Sequence, residues 1–169
     1  MRKPKKLTAL LLALTLVFAC AACGSGNSTT DSGKTISGTL PEIIDRLYDT
    51  VDVDDEQRDF LKNSVGTVEI PKDQSAYYFG VENLDFEEAV ASEPFINAIA
   101  FSVCLMRVKD GTDIDELKAE IRRSANPAKW ICVDVNPNDV RVESVGDLVL
   151  LIMADDSEKY SEAFYALAE

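Results

Sequence analysis

Histidine is absent from all 169 residues. Its absence removes the commonest general base at neutral pH, the usual serine and cysteine triads, and histidine-ligated zinc. Cations are scarce, with 17 Lys and Arg against 30 Asp and Glu. Phosphate recognition draws on clustered Lys and Arg, so nucleic acid is a poor partner for this chain. No Gly-x-Ser-x-Gly elbow, phosphate loop or dinucleotide fingerprint occurs, and no cofactor is expected. Asp52, Asp54 and Glu56 alternate like the start of a calcium loop, but Gln57 stands where the sharp-turn glycine belongs and Asn63 where the bidentate glutamate belongs. That segment is not an EF-hand, and no metal site is expected.

What is present begins with an address. Arg2, Lys3, Lys5 and Lys6 form a basic leader, Leu7 to Ala19 is apolar, and Ala21 and Ala22 precede Cys23. This order of charge, apolar run and small residues is a secretory signal, and the run falls short of the roughly 20 residues of a comfortable membrane span. Cys23 is the candidate lipidation site, its thiol taking a diacylglyceryl group before cleavage. Cys20 is a poorer site because bulky Phe18 lies two residues before that cut. Loss of the leader takes four basic residues and no acidic ones, leaving 13 against 30 and a formal charge of −17.

Three segments follow: a signal peptide over 1–22, an anchor and flexible tether over 23–38, and one domain over 39–169. The tether is Gly, Ser, Asn, Thr, Asp and Lys with Ile36 as its single large apolar residue, too little to offset the entropy of ordering. The remaining length suits one core.

Within the domain, Leu40, Ile43, Ile44, Leu47, Tyr48 and Val51 recur at helical spacing behind Thr39 and Pro41, and a second helix is expected over about 54–64. Thr67 to Ile70 and Tyr77 to Gly80 read as short extended pieces. Asp85 and Glu88 read as a capping pair for a short helix ended by Pro94. Residues 99–109 are apolar on both faces, the pattern of a central strand. Asp113 and Glu116 open a helix striped by Ile114, Leu117 and Ile121, and Trp130 to Val135 alternates as a strand. Val140 to Glu143, Gly146-Asp147 and Leu148 to Met153 spell a hairpin, and a last helix follows Asp156. The expected fold is α+β, a four- or five-stranded antiparallel or mixed sheet with helices mainly on one face.

The runs Tyr78-Phe79-Gly80, Asp85-Phe86-Glu87-Glu88-Ala89, Ser102 through Gly111, Trp130-Ile131-Cys132 and Gly146 through Met153 carry a resemblance. Together they resemble a family of small uncharacterised lipoproteins of Gram-positive bacteria, a domain of unknown function. The likeness covers most of residues 40 to 169. It implies an outward-facing, lipid-anchored single domain and supplies no catalytic or binding residues.

Two constellations remain. Cys104 and Cys132, each in an expected strand, are either a disulfide in an oxidising compartment or two reduced thiols. Tyr77, Tyr78 and Trp130 are either a binding platform or packing residues. The leading expectation is a non-catalytic interaction module at the outer face of the cytoplasmic membrane, with an envelope protein or cell-wall component as partner. The rivals are a small-ligand or cation binder and a carboxylate-based wall hydrolase.

Overall fold

The computed structural model describes residues 33–169; the leader, Cys23 and the first part of the expected tether lie outside the described residues. Five helices and five strands follow in the order α1 (Leu40–Thr50), α2 (Asp55–Asn63), β1 (Val65–Glu69), α3 (Ser75–Phe79), β2 (Phe86–Pro94), β3 (Ser102–Val108), α4 (Ile114–Ser124), β4 (Val140–Val145), β5 (Leu148–Met153) and α5 (Ser157–Ala166). The strands form one sheet, ordered β1-β2-β3-β5-β4, with every neighbouring pair antiparallel. The α+β fold read from the sequence is therefore the observed one. No helix among the described residues is long and apolar enough to cross a membrane.

The period-2 pattern of β3 explains the two-sided core. Val103 and Leu105 point to one face, where they pair with Ile152 and Leu150 of β5 and pack beneath Leu40, Ile44, Leu47, Tyr160 and Phe164 from α1 and α5. Cys104 and Met106 point to the other, into a cluster with Phe79, Phe86, Ile121, Trp130 and Leu151. Three helices, α1, α2 and α5, cover the first face. The second is closed by α4, the single turn of α3 and the irregular stretch 125–135. A strand apolar on both sides can be stable only between two such layers.

Local chemistry accounts for the helix starts. Thr39 and Glu42 complete a reciprocal capping box on α1, the Asp54 carboxylate accepts the Gln57 N–H at 2.8 Å, and Asp113 accepts the Glu116 N–H at 3.0 Å.

Three local expectations are overturned. Tyr77 to Gly80 is no strand: Tyr77 and Tyr78 lie in α3, which Gly80 ends in the left-handed region at φ 76. Asp85 and Glu88 cap no helix, because the following Ala89-Val90-Ala91-Ser92 run is buried and pairs with β1 and β3 as β2. Asp85 instead is exposed and paired with Lys109 and Lys72. Trp130 to Val135 forms no strand either; it crosses the α4 side of the sheet as a loop, buries Trp130 and Val135, and turns through Cys132 at φ 62. Its apolar alternation records which side chains face the core without any ladder partner.

The fold also begins earlier than residue 39. Ile36 is buried in the α1 face, and Thr35 and Glu169 exchange backbone hydrogen bonds of 3.1 and 3.3 Å. Arg107 locks this entry to the sheet by donating to Glu88, to Asp147 at 2.8 Å and to the Gly38 carbonyl. The chain therefore enters at the end of the sheet that carries the β4–β5 turn. The β2–β3 loop, 95–101, lies at the opposite end, separated by the six-residue length of β5, roughly 20 Å.

Candidate interaction surface

The structure brings the three predicted aromatic residues together. Their rings surround the Lys129 ammonium, with Nζ at 4.9 Å from the Tyr77 centroid, 5.3 Å from Tyr78 and 5.5 Å from Trp130. Helix α3 supplies two rings and the 125–135 loop supplies the third together with the lysine. The same Nζ lies 2.5 Å from a Glu93 oxygen and donates to Ser102 Oγ at 3.2 Å. Ser102 in turn donates to Glu93 at 2.8 Å. The Lys129 side chain is only 3% exposed, so its charge is held by a carboxylate, a hydroxyl and three aromatic faces rather than by water.

Tyr77, Tyr78 and Trp130 thus form a box already filled by the chain's own cation. The box pins the loop to β2 and β3. It also brings a serine beside a lysine, the pair an enzyme could use as nucleophile and base. Ser102, however, is fully buried and its proton points to Glu93, so the hydroxyl is committed to the pin.

Pinning the loop has a visible consequence. Ile131, next to buried Trp130, is 62% exposed, and Phe95 and Ile96 of the β2–β3 loop are 73% and 64% exposed. The two loops are joined where the Ile131 N–H donates to the Asn97 carbonyl at 3.0 Å. Phe95 is steadied by its own N–H to the Ser64 carbonyl at 3.1 Å, and its ring rests on Gly66, where a Cβ would come within 2.6 Å of it. The result is an apolar ridge of Phe95, Ile96 and Ile131 at the far end of the sheet from the chain's entry. Sequence reasoning missed this ridge, although two large apolar residues directly after Pro94, outside any period, were a signal for it.

No family model, curated protein or solved structure matches the chain.

The two thiols stand apart in character. Both are free; Cys104 is fully buried on β3 and Cys132 is exposed on the loop. The disulfide reading assumed two strands, and Cys132 is in none. Burial pushes the Cys104 thiol up to about 11, so almost no thiolate exists at neutral pH, and the thiolate is the nucleophile. Iodoacetamide at pH 7.5 should label Cys132 in the native protein and Cys104 only after denaturation, as mapped by peptide mass spectrometry. Comparable native labelling of Cys104 would refute its burial, and failure of both to label until a reductant is added would reinstate the bridge. Among the described residues, no three carboxylates or cysteines converge as a ligand set for a metal ion.

Proposed function

We propose that the chain is an envelope lipoprotein, anchored through Cys23 at the outer face of the cytoplasmic membrane, whose domain is a non-catalytic module that docks a protein partner on the Phe95, Ile96 and Ile131 ridge. The observation carrying this reading is the exposure of those three side chains on two loops that are hydrogen-bonded to each other. Large apolar side chains exposed on loops tied to each other are a mark of an interface.

One further fact favours a protein over the lipid surface as occupant. A mature charge of −17 is repelled by anionic lipid and complements a partner whose apolar patch is rimmed by Lys and Arg. The leader's residue order, basic residues, an apolar run and small residues before Cys23, supports the anchor.

Site-directed photo-crosslinking in cells tests the docking surface. A photoreactive side chain at position 96 should give a defined protein adduct that is absent with the same group at exposed Glu162 on α5. Phe95→Ser with Ile131→Ser should weaken binding of that partner by about 2 kcal/mol or more, roughly 30-fold in Kd, with little change in stability. Undiminished adduct and affinity in the doubly substituted protein would refute the ridge. Cys23→Ala should abolish incorporation of a labelled fatty acid into the protein, and undiminished acylation of that variant would refute the anchor site.

A further inference from the structure

The sheet has two edges, and they are guarded differently. Strand β4 carries Arg141 and Glu143, charges of the kind that keep an open edge from pairing. Strand β1 reads Val65-Gly66-Thr67-Val68-Glu69, with no lysine, no proline and one unbroken register against β2. Thr67, Val68 and Glu69 are exposed.

Two bonds at the ends of the β1–β2 ladder fix the direction of its backbone groups. The Phe95 N–H donates to the Ser64 carbonyl at 3.1 Å and the Ile70 N–H to the Ala89 carbonyl at 2.8 Å. Even-numbered residues therefore face β2, and alternation turns the N–H and C=O groups of Val65, Thr67 and Glu69 away from the sheet. Nothing among the described residues bonds to them. A row of such groups on an unguarded strand is completed by another extended backbone.

We infer that a second copy of the chain covers this edge, with β1 pairing antiparallel to β1 of the other copy about a two-fold axis at Thr67. The register is self-complementary. Thr67 meets its own copy and Val65 meets Glu69 of the other, so outward-facing residues pair with outward-facing ones and each pair exchanges both hydrogen bonds. On the α4 side of the sheet the same register sets Gly66 across from Val68. The Phe95 ring stands where a Gly66 Cβ would be, at 2.6 Å, so this exposed ring meets exposed Val68 of the other copy, and the two-fold axis makes the contact twice. Thr–Thr and aromatic–β-branched neighbours are both stabilising cross-strand pairs.

Charge allows the pairing despite the −17 overall. Glu69 is the one charged residue of β1 and lies opposite neutral Val65. The two copies of Glu69 are then four residues apart along the seam, roughly 13 Å, beyond the Debye length of about 8 Å at physiological salt. The chain itself supplies what this edge requires, an apolar side chain opposite Gly66 and a neutral one opposite Glu69, which favours a second copy over an unrelated strand. The seam adjoins the proposed docking ridge and does not depend on it.

Disulfide trapping of the full chain in intact cells tests the seam. Thr67→Cys/Cys132→Ser, oxidised with copper phenanthroline, should form a linked dimer, because a hydrogen-bonded antiparallel pair holds its Cα atoms about 5.5 Å apart, within bonding range. Val65→Cys/Cys132→Ser, whose thiols would lie roughly 13 Å apart, should form at least tenfold less, and the Cys132→Ser parent sets the background. Thr67→Pro removes only an outward N–H, which an edge strand tolerates; it should cut the cross-link through Val65→Cys/Glu69→Cys at least tenfold and leave the unfolding midpoint in place. Thr67→Lys, which sets two ammoniums face to face, should do the same and serves if the proline variant does not fold. Ile131→Ser should leave the cross-link unchanged, which separates failure of the seam from failure of the ridge. A Thr67→Cys dimer no more abundant than the Val65→Cys one, a cross-link that survives the folded Thr67 variants, or an adduct to a different protein in place of the dimer overturns the proposal.

Discussion

Lys129→Met should lower the unfolding free energy by about 3–5 kcal/mol, the cost of removing one partner from a buried ion pair. Lys129 is 3% exposed in its side chain and Glu93 is 20% exposed, so methionine would leave the largely buried Glu93 carboxylate with the Ser102 hydroxyl as its one remaining side-chain donor. The shape of the lysine stem is preserved by the substitution, which makes charge the variable. Urea unfolding of the single variant and of Lys129→Met/Glu93→Gln decides the matter. The double variant should recover most of the loss, because no lone charge remains; a double variant no more stable than the single one would show that the lysine acts through packing alone. The single variant should also lose the partner adduct at position 96, since the pin that holds Ile131 against Asn97 is gone.

Gly80→Ala is expected to be nearly as damaging, by roughly 2–5 kcal/mol from left-handed backbone and overpacking together. Gly80 has φ 76, and a Cβ there would fall 2.0 Å from the Ser124 carbonyl oxygen and 2.6 Å from the Ala125 nitrogen. These are backbone atoms at the end of α4, which cannot swing aside as a flexible side chain would. Gly111→Ala is the matched control: its φ is 83 and nothing lies within 4 Å of the added methyl, so only the left-handed penalty of about 1–2 kcal/mol applies. Equal losses for the two variants in thermal or urea unfolding would remove the α3–α4 contact from the explanation.

The contrast between those glycines shows how far sequence reading reaches here. Asp-Gly at 110–111 and Gly-Asp at 146–147 are turn signals complete in themselves, because the left-handed residue is required by the local chain reversal. Gly80 was read as the end of an extended piece, and the reason it must be glycine is the backbone of residues 124 and 125, more than forty positions away. The same divide runs through the candidate site. Tyr77, Tyr78 and Trp130 could be named as residues with an apolar face and a polar tip, but their convergence on Lys129 depends on α3 and the 125–135 loop meeting over the same sheet face. Asp85 and Glu88 have the spacing of a capping pair, yet the buried Ala89 to Ser92 run that follows pairs on both sides as β2, and a ladder with two partners outweighs a few tenths of a kcal/mol of helix preference.

Sequence alone determined the elements whose signal is complete within ten or so residues. These are α1 from its 3.6-residue stripe behind Thr39 and Pro41, β3 from apolar side chains on both faces, the β4–β5 hairpin from alternation around Gly146-Asp147, and the α+β class that follows from their order. It also determined the acidity and the missing histidine, which narrow the chemistry. Tertiary structure alone decided the strand order, the ion pair between Lys129 and Glu93, the free and dissimilar states of Cys104 and Cys132, and the exposure of Phe95, Ile96 and Ile131. The physical reason is separation along the chain: periodicity records which face of an element is buried, whereas the partner that a buried charge finds, or the apolar residue left without one, is set by which distant segments the sheet brings to the same end.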